Sequence, residues 1–471
     1  MISLRILKAS LLLGLMPFLF GCASYNQKSA IYYKHIADGD YTTAGKELDK
    51  IGLLQQPRNK LLLLMEKGRL SHLNKDYENS NLYFNQADQM LENGSGGGAM
   101  DAVVGTLVNP MSQTYKAEDF EKFMIHYYKA LNYLYLGKRE DAIVEARRIT
   151  LQTQEQGDKF NNKENRYSKD AFSLNLQGLI YETDGDVNNA FISYRNAADI
   201  YINSKDSTWY GTKIPERLKL DLLRTAYLNG FTSELMQYEK LFGIKYQPTP
   251  TPEGGELVIF WENGHAPVKI QQDVTFSLIR GDNGSLFFTD ITGTMLIPFD
   301  TSNGHNFDLN SIQSLRAAYP KYVTNTPYYN SALVNNNGFE NAQNINELAI
   351  ATLQQRFLKE MSKVLTRLAV KKAAEYTLRA SSKGSGKNGK DNTLLEGLGF
   401  GVQLYSLLSE KADTRNWQSL PAEINYIRIP LLKGPNTINI ELKGPNGATE
   451  KKTLNIEGKG NLQLYNYATL K

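Results

Sequence analysis

The chain has 471 residues, a formal net charge of +4 and a single cysteine. That length holds two or three domains, and the near-neutral mixture of signs excludes the electrostatic footprint of a nucleic-acid binder. One cysteine excludes an internal disulfide, so stability rests on packing, and 28 tyrosines point to aromatic packing as a large part of it.

The first element is a leader. Arg5 and Lys8 precede a largely apolar run from Ala9 to Phe20, about the length of a signal-peptide core and too short to span a bilayer. It ends in Leu19-Phe20-Gly21-Cys22, which resembles the lipobox of bacterial lipoproteins, where the cysteine is lipidated and residues 1–21 are cut away. Each buried acyl CH₂ contributes about 0.8 kcal/mol, so several chains on Cys22 would hold the protein firmly on a membrane. Ala23 and Ser24 lack the aspartate that retains enteric lipoproteins at the inner membrane, so by that resemblance the cell outer membrane is the expected location. No later apolar run is long enough for a transmembrane helix.

Residues 22–246 read as a tetratricopeptide-like (TPR-like) array of helical hairpins. Gly178, Tyr181, Ala190, Tyr194 and Ala197 stand at the spacing of that repeat, around the turn Gly185-Asp186. Small residues let antiparallel helices approach, and aromatics fill the gaps between neighbouring hairpins. Gly68, Ser71, Ser80, Phe84 and Ala87 repeat the offsets, as do Ala130, Tyr133, Ala142 and Ala146, with weaker copies around Ala44 and from Leu218 to Leu241. Two interruptions read as loops, Gly94 to Tyr115 and Thr153 to Lys169. The glycine run Gly94 to Gly98 is followed by Ala99-Met100-Asp101, not by the Gly-Lys-Ser/Thr of a phosphate loop. In the dense segment Phe120 to Arg148, Glu118, Asp119 and Glu121 favour a helix start. His126, Tyr127, Asn132 and Tyr133 are the candidate partner-binding residues there, weighed against plain inter-helix packing.

The alternating prolines of Gln247 to Gly255 mark a linker, and residues 256–471 read as a β-rich domain. Strands are expected at Leu257–Trp261, Thr275–Ile279, Ser285–Phe288, Thr294–Pro298, Ile424–Ile429, Thr437–Leu442, Lys452–Ile456 and Leu462–Tyr465. Asn263-Gly264 and Asp282-Asn283-Gly284 read as turns. A basic amphipathic helix from Ile345 to Ala380, expected to pack on a sheet, and a partner helix from Leu394 to Leu408 form a helical hairpin inserted near 345–411. The fold class is therefore α+β, a helical array followed by a β-rich domain.

Chemical motifs are sparse. Gly384 to Lys390 begins like a phosphate loop, but Asp391 stands where a magnesium-binding Ser/Thr is needed. His35, His72, His126, His265 and His305 are scattered without metal-ligand spacing, and no nucleophile elbow occurs. No catalytic residue, metal or cofactor is expected, and Trp417 reads as a core anchor.

Taken together, the lipobox at Cys22, the glycine loop Gly94 to Gly98, His126-Tyr-Tyr-Lys-Ala-Leu-Asn-Tyr133-Leu and Asp413-Thr-Arg-Asn-Trp417-Gln-Ser-Leu-Pro421 resemble a family of Gram-negative outer-membrane lipoproteins with TPR-like repeats. The resemblance implies location and architecture rather than a reaction. The expectation is a non-enzymatic lipoprotein, attached to a membrane through its N-terminal lipid, that uses its array as a scaffold for an envelope protein partner. The alternative is a regulator of a periplasmic cell-wall synthase, or of another envelope assembly machine, acting through the β-rich domain.

Overall fold

The structure, a computed structural model, describes residues 24–93, 110–160, 166–281, 285–299, 314–384 and 411–471, with side chains of the last helix to residue 372. The leader with Cys22, the glycine run, the Asp282–Gly284 turn, residues 385–390, the helix expected at 394–408 and His305 lie outside these residues.

Among the described residues ten α-helices come first: α1 (Tyr25–Ala37), α2 (Tyr41–Lys50), α3 (Lys60–Leu73), α4 (Tyr77–Glu92), α5 (Asp119–Tyr135), α6 (Arg139–Lys159), α7 (Ala171–Thr183), α8 (Val187–Ile202), α9 (Glu216–Leu228) and α10 (Thr232–Phe242). They pack in consecutive pairs. In three of the five pairs an aspartate caps the second helix just after the turn: Asp40, Asp76 and Asp186 accept from the backbone N–H of Thr43, Asn79 and Asn189 at 3.0, 3.2 and 3.0 Å. Such a cap satisfies an amide that the helix itself leaves unpaired. The reading of Thr153 to Lys169 as a loop is corrected in its first part, since α6 runs on to Lys159. Polar residues there continue a helix whose inner face holds Gln156 and Gly157 buried.

A short two-stranded ribbon, β1 (Thr208–Trp209) with β2 (Thr212–Lys213), lies before α9. The second half contains β3 (Glu256–His265), β4 (Val268–Arg280), β5 (Leu286–Asp290), β6 (Leu296–Phe299), β7 (Ser314–Val323), β8 (Ser331–Val334), β9 (Asn337–Gly338), β10 (Glu340–Asn344), α11 (Ile345–Gly384), β11 (Pro421–Pro430), β12 (Gly434–Lys443), β13 (Thr449–Gly458) and β14 (Leu462–Thr469). Its described strands form three sheets, ordered β10-β11-β3-β14, β13-β12-β8-β9 and β6-β5-β4-β7. The pair β14–β3 is parallel; the other ladders are antiparallel. Asn263-Gly264 is not a turn but the end of β3, where Asn263 pairs with Glu423. The chain turns later, at Ala266-Pro267.

The apolar run Leu257–Trp261 makes physical sense in this arrangement. Side chains alternate along a strand, and both faces of this sheet are covered. Val258 and Phe260 join the helical core with Ile424, Tyr426, Leu462 and Leu464. Leu257, Ile259 and Trp261 face the second sheet through Ala332, Val334, Ile438, Ile440 and Leu442. A strand buried on both sides reads as continuous rather than alternating hydrophobicity. The third sheet is covered on one face by α11, whose Met361, Leu365, Leu368 and Ala369 meet Phe276, Phe288, Ile297 and Leu315. That helix begins in the main core, at Ile345, Leu348 and Ala349. The molecule is thus α+β, with helices and the first sheet sharing one core across residues 247–255.

Candidate functional site

The helical half meets the first sheet through buried charge. Arg69 of α3 and Glu262 of β3 are both fully buried and form an ion pair. Glu262 also accepts from Tyr127 Oη at 2.9 Å and from Asn466 Nδ2 at 2.6 Å. The Arg69 guanidinium lies 4.4 Å from the centre of the Tyr128 ring, and its Nε donates to the Ser419 carbonyl at 3.2 Å. His72, one turn further along α3, places Nδ1 2.6 Å from Asn132 Oδ1 and Nε2 2.9 Å from Asn466 Nδ2. Asn132 Nδ2 in turn donates to Ser80 Oγ and Asn81 Oδ1, at 2.8 and 2.9 Å. Burial, and then the charge of Arg69, push the His72 imidazole down to about 4. It is a neutral linker inside the molecule.

Two further clusters repeat the pattern. Glu118, at the start of α5, pairs with Lys269 of β4 and Arg356 of α11. Burial alone would raise its carboxyl, but these two cations hold it well below the usual range. Its neighbour Glu121 accepts from Trp417 N at 2.9 Å and Tyr115 Oη at 2.7 Å, and burial with the Glu118 charge raises it to about 7. Arg428 of β11 reaches Glu182 at 2.9 Å and Asp221 at 3.0 Å. These perturbed groups are spent on joining elements, as buried charges must be when paired.

Of the candidate partner-binding residues, the structure corrects three. His126, Tyr127 and Asn132 are buried and occupied internally, so they do not line an open surface. They face inward because α5 is enclosed by α4, α6 and the first sheet. Tyr133 is half-buried against the core. The repeat-packing residues are in contact roles: Gly68 lies against the Phe84 ring and Gly178 against the Tyr194 ring. Ala87, Ala142, Tyr181, Ala190 and Ala197 are buried. Trp417 is fully buried. Asp88, His126 and Glu145 place ligand-type atoms within 4.8 Å of one another. Two cations stand among them: Lys129, whose Nζ is 2.6 Å from Asp88 and 2.9 Å from Glu145, and Arg148, whose Nη1 is 2.9 Å from Asp88. The trio is held in an internal salt-bridge network.

An open site lies elsewhere. A groove of about 500 Å³ separates the α5–α6 hairpin tip from the second half. One wall is Leu134, Tyr135, Gly137 and Arg139, with Thr183 from the end of α7; the other is Ile456, Lys459 and the stretch Asn461 to Tyr465. It contains two cations and no carboxylate among its lining residues. Tyr135 closes one end, donating to Asn466 Oδ1 at 2.6 Å while accepting from Asn466 N at 2.7 Å. Sequence reasoning missed this groove. Tyr135 and Gly137 flank a visible turn, but the opposite wall is more than three hundred residues away, as the separation of 331 between Tyr135 and Asn466 records.

No family model matches the chain, and no curated protein matches it. Among solved structures, the crystal structure of BtubC (BKLC) from P. vanneervenii is similar at 15% identity, covering 53% of this chain and 91% of that one with a TM-score of 0.32. A likeness this slight carries no argument about fold or function.

Proposed function

We infer that the protein is a lipid-anchored, non-enzymatic docking scaffold of the bacterial cell envelope, its helical half a TPR-like array. The observation that carries the reading is the groove, an open concave site built where the array meets an edge of the first sheet. Supporting it, Gly68 faces Phe84 and Gly178 faces Tyr194 at the same sequence offset, as a repeat requires. The anchor reading rests on Leu19-Phe20-Gly21-Cys22. Helix α1 begins at Tyr25 with Ser24 as its cap, so little chain separates Cys22 from the folded body. At roughly 3.5 Å per residue the body would sit close to the bilayer surface.

The test is in-cell photocrosslinking from position 463, in the groove wall, using protein metabolically labelled with alkyne-palmitate. The expected outcome is labelled protein carrying one recurrent envelope partner, with the label lost in Cys22→Ser. Protein that takes no label, or labelled protein with no recurrent partner, would sink the reading.

A further inference from the structure

Strand β14 is an edge strand of the first sheet and pairs in parallel with β3. In such a ladder successive residues direct their N–H and C=O alternately toward the neighbour and away from it. The phase is set by two bonds. The Asn461 carbonyl accepts from Glu256 N at 3.3 Å, so the odd-numbered residues face β3. Asn466 N points the other way, to Tyr135 Oη at 2.7 Å. Leu462 and Leu464 share the outward phase of Asn466, and both line the groove. Tyr135 therefore caps the edge at Asn466 while the stretch before it opens into a cavity bounded on the far side by the α5–α6 tip.

Exposed sheet edges are templates for another strand, and proteins ordinarily blunt them. Here a short stretch of the edge, to which no other element bonds through its backbone among the described residues, lines a groove whose charged lining residues are Arg139 and Lys459. Lys459 is exposed. Arg139 is half-exposed, and its distance of 3.8 Å to Asp184 makes that pair a weak competitor. We propose that the groove takes an extended, acidic peptide segment of a partner protein, which adds as a strand to the outer edge of β14. Main-chain bonds to Leu462 and Leu464 supply the affinity, and the two cations select carboxylate side chains. This occupant rests on the docking reading above, but it needs no membrane, so the two fail separately.

The test uses the purified full-length protein in detergent and a fluorescent synthetic peptide of alternating Val and Glu. Binding in the micromolar range is expected, weakening with added salt. N-methylation of the peptide amides in one alternating phase should abolish binding, whereas methylation in the opposite phase should leave it within about twofold, since only one phase faces β14. The double reversal Arg139→Glu with Lys459→Glu involves exposed or half-exposed side chains. It should lose the Val-Glu peptide at least tenfold and gain a Val-Lys counterpart, while its circular dichroism stays unchanged. The Cys22→Ser protein should bind like the wild type, which separates this inference from the anchor. No saturable binding of the Val-Glu peptide, or binding indifferent to methylation phase, would overturn it.

Discussion

His72 shows how one side chain couples the two halves and what that costs in acid. Its two ring nitrogens join Asn132 of α5 to Asn466 of β14, and the neutral ring serves both if Nδ1 donates and Nε2 accepts. Burial, then Arg69, lowers its value from 6.5 to about 4. A depressed folded-state value gives stability that is present above about pH 6.5 and is lost as pH falls toward 4, each tenfold loss of proton affinity being worth about 1.4 kcal/mol. Glu121 acts with the opposite sign. Its value is raised to about 7, so its contribution is present below the usual carboxylate range and is lost as pH rises through 7. The two partly cancel in the wild type, and only a difference isolates His72. The unfolding free energy of wild type minus His72→Gln should therefore shrink between about pH 7 and about pH 5. Urea titrations at each pH measure it, and a pH-independent difference would show that His72 is not held neutral by its surroundings.

Between elements, the decisive contacts are close approaches permitted by glycine. A Cβ built on Gly178 would come within 2.4 Å of the Tyr194 ring, and one on Gly68 within 2.7 Å of Phe84. Both rings are fully buried and cannot swing out to solvent. Gly178→Ala should therefore destabilise by about 1–3 kcal/mol, the usual cost of overpacking, despite the higher helix propensity of alanine. A urea midpoint at or above that of the wild type would contradict it. These contacts are legible in the sequence because they are local: the small residue and its aromatic lie on adjacent helices at a fixed offset. The turns are legible as well, as Gly185-Asp186 marks, whereas the capping role of the aspartates that recur at Asp40 and Asp76 emerges only from the structure. Strand β7 is not legible, since Pro320 interrupts its pattern. The proline is tolerated because β7 lies at the edge of its sheet, where a missing N–H costs no ladder bond. The basic helix reads as packing on a sheet, and its apolar face does cover β4 to β7.

At the scale of the molecule, the proline-rich stretch at 247–255 marks a change of secondary structure within a continuous core. Gly254 N donates to the Leu431 carbonyl at 3.2 Å, and Leu431 N donates to the Gly255 carbonyl at 2.9 Å, so the end of the stretch is stitched into the β half. Sequence reading could not see this continuity, nor the groove, because both depend on which strand lies beside which helix. The run Leu257–Trp261 signals burial on two sides without saying what supplies the second side. Nor does Leu462 to Tyr465 reveal that its strand is an edge. The same continuity predicts how the protein unfolds. Arg69 and Glu262 are wholly buried partners from opposite halves, and removing one leaves the other charge unpaired, at a cost of about 3–5 kcal/mol. In a Trp209→Phe, Trp417→Phe background the remaining indole is Trp261, which lies in the core between the first and second sheets, so fluorescence reports the β half while far-ultraviolet circular dichroism is dominated by the helices. The two signals should give coincident urea midpoints. Adding Arg69→Met should move both to lower urea by the same amount. A helical signal that shifts while the indole signal stays would mean that the halves unfold separately. In that case the two walls of the groove would not be held at a fixed spacing, and a strand entering it would have to assemble its own site.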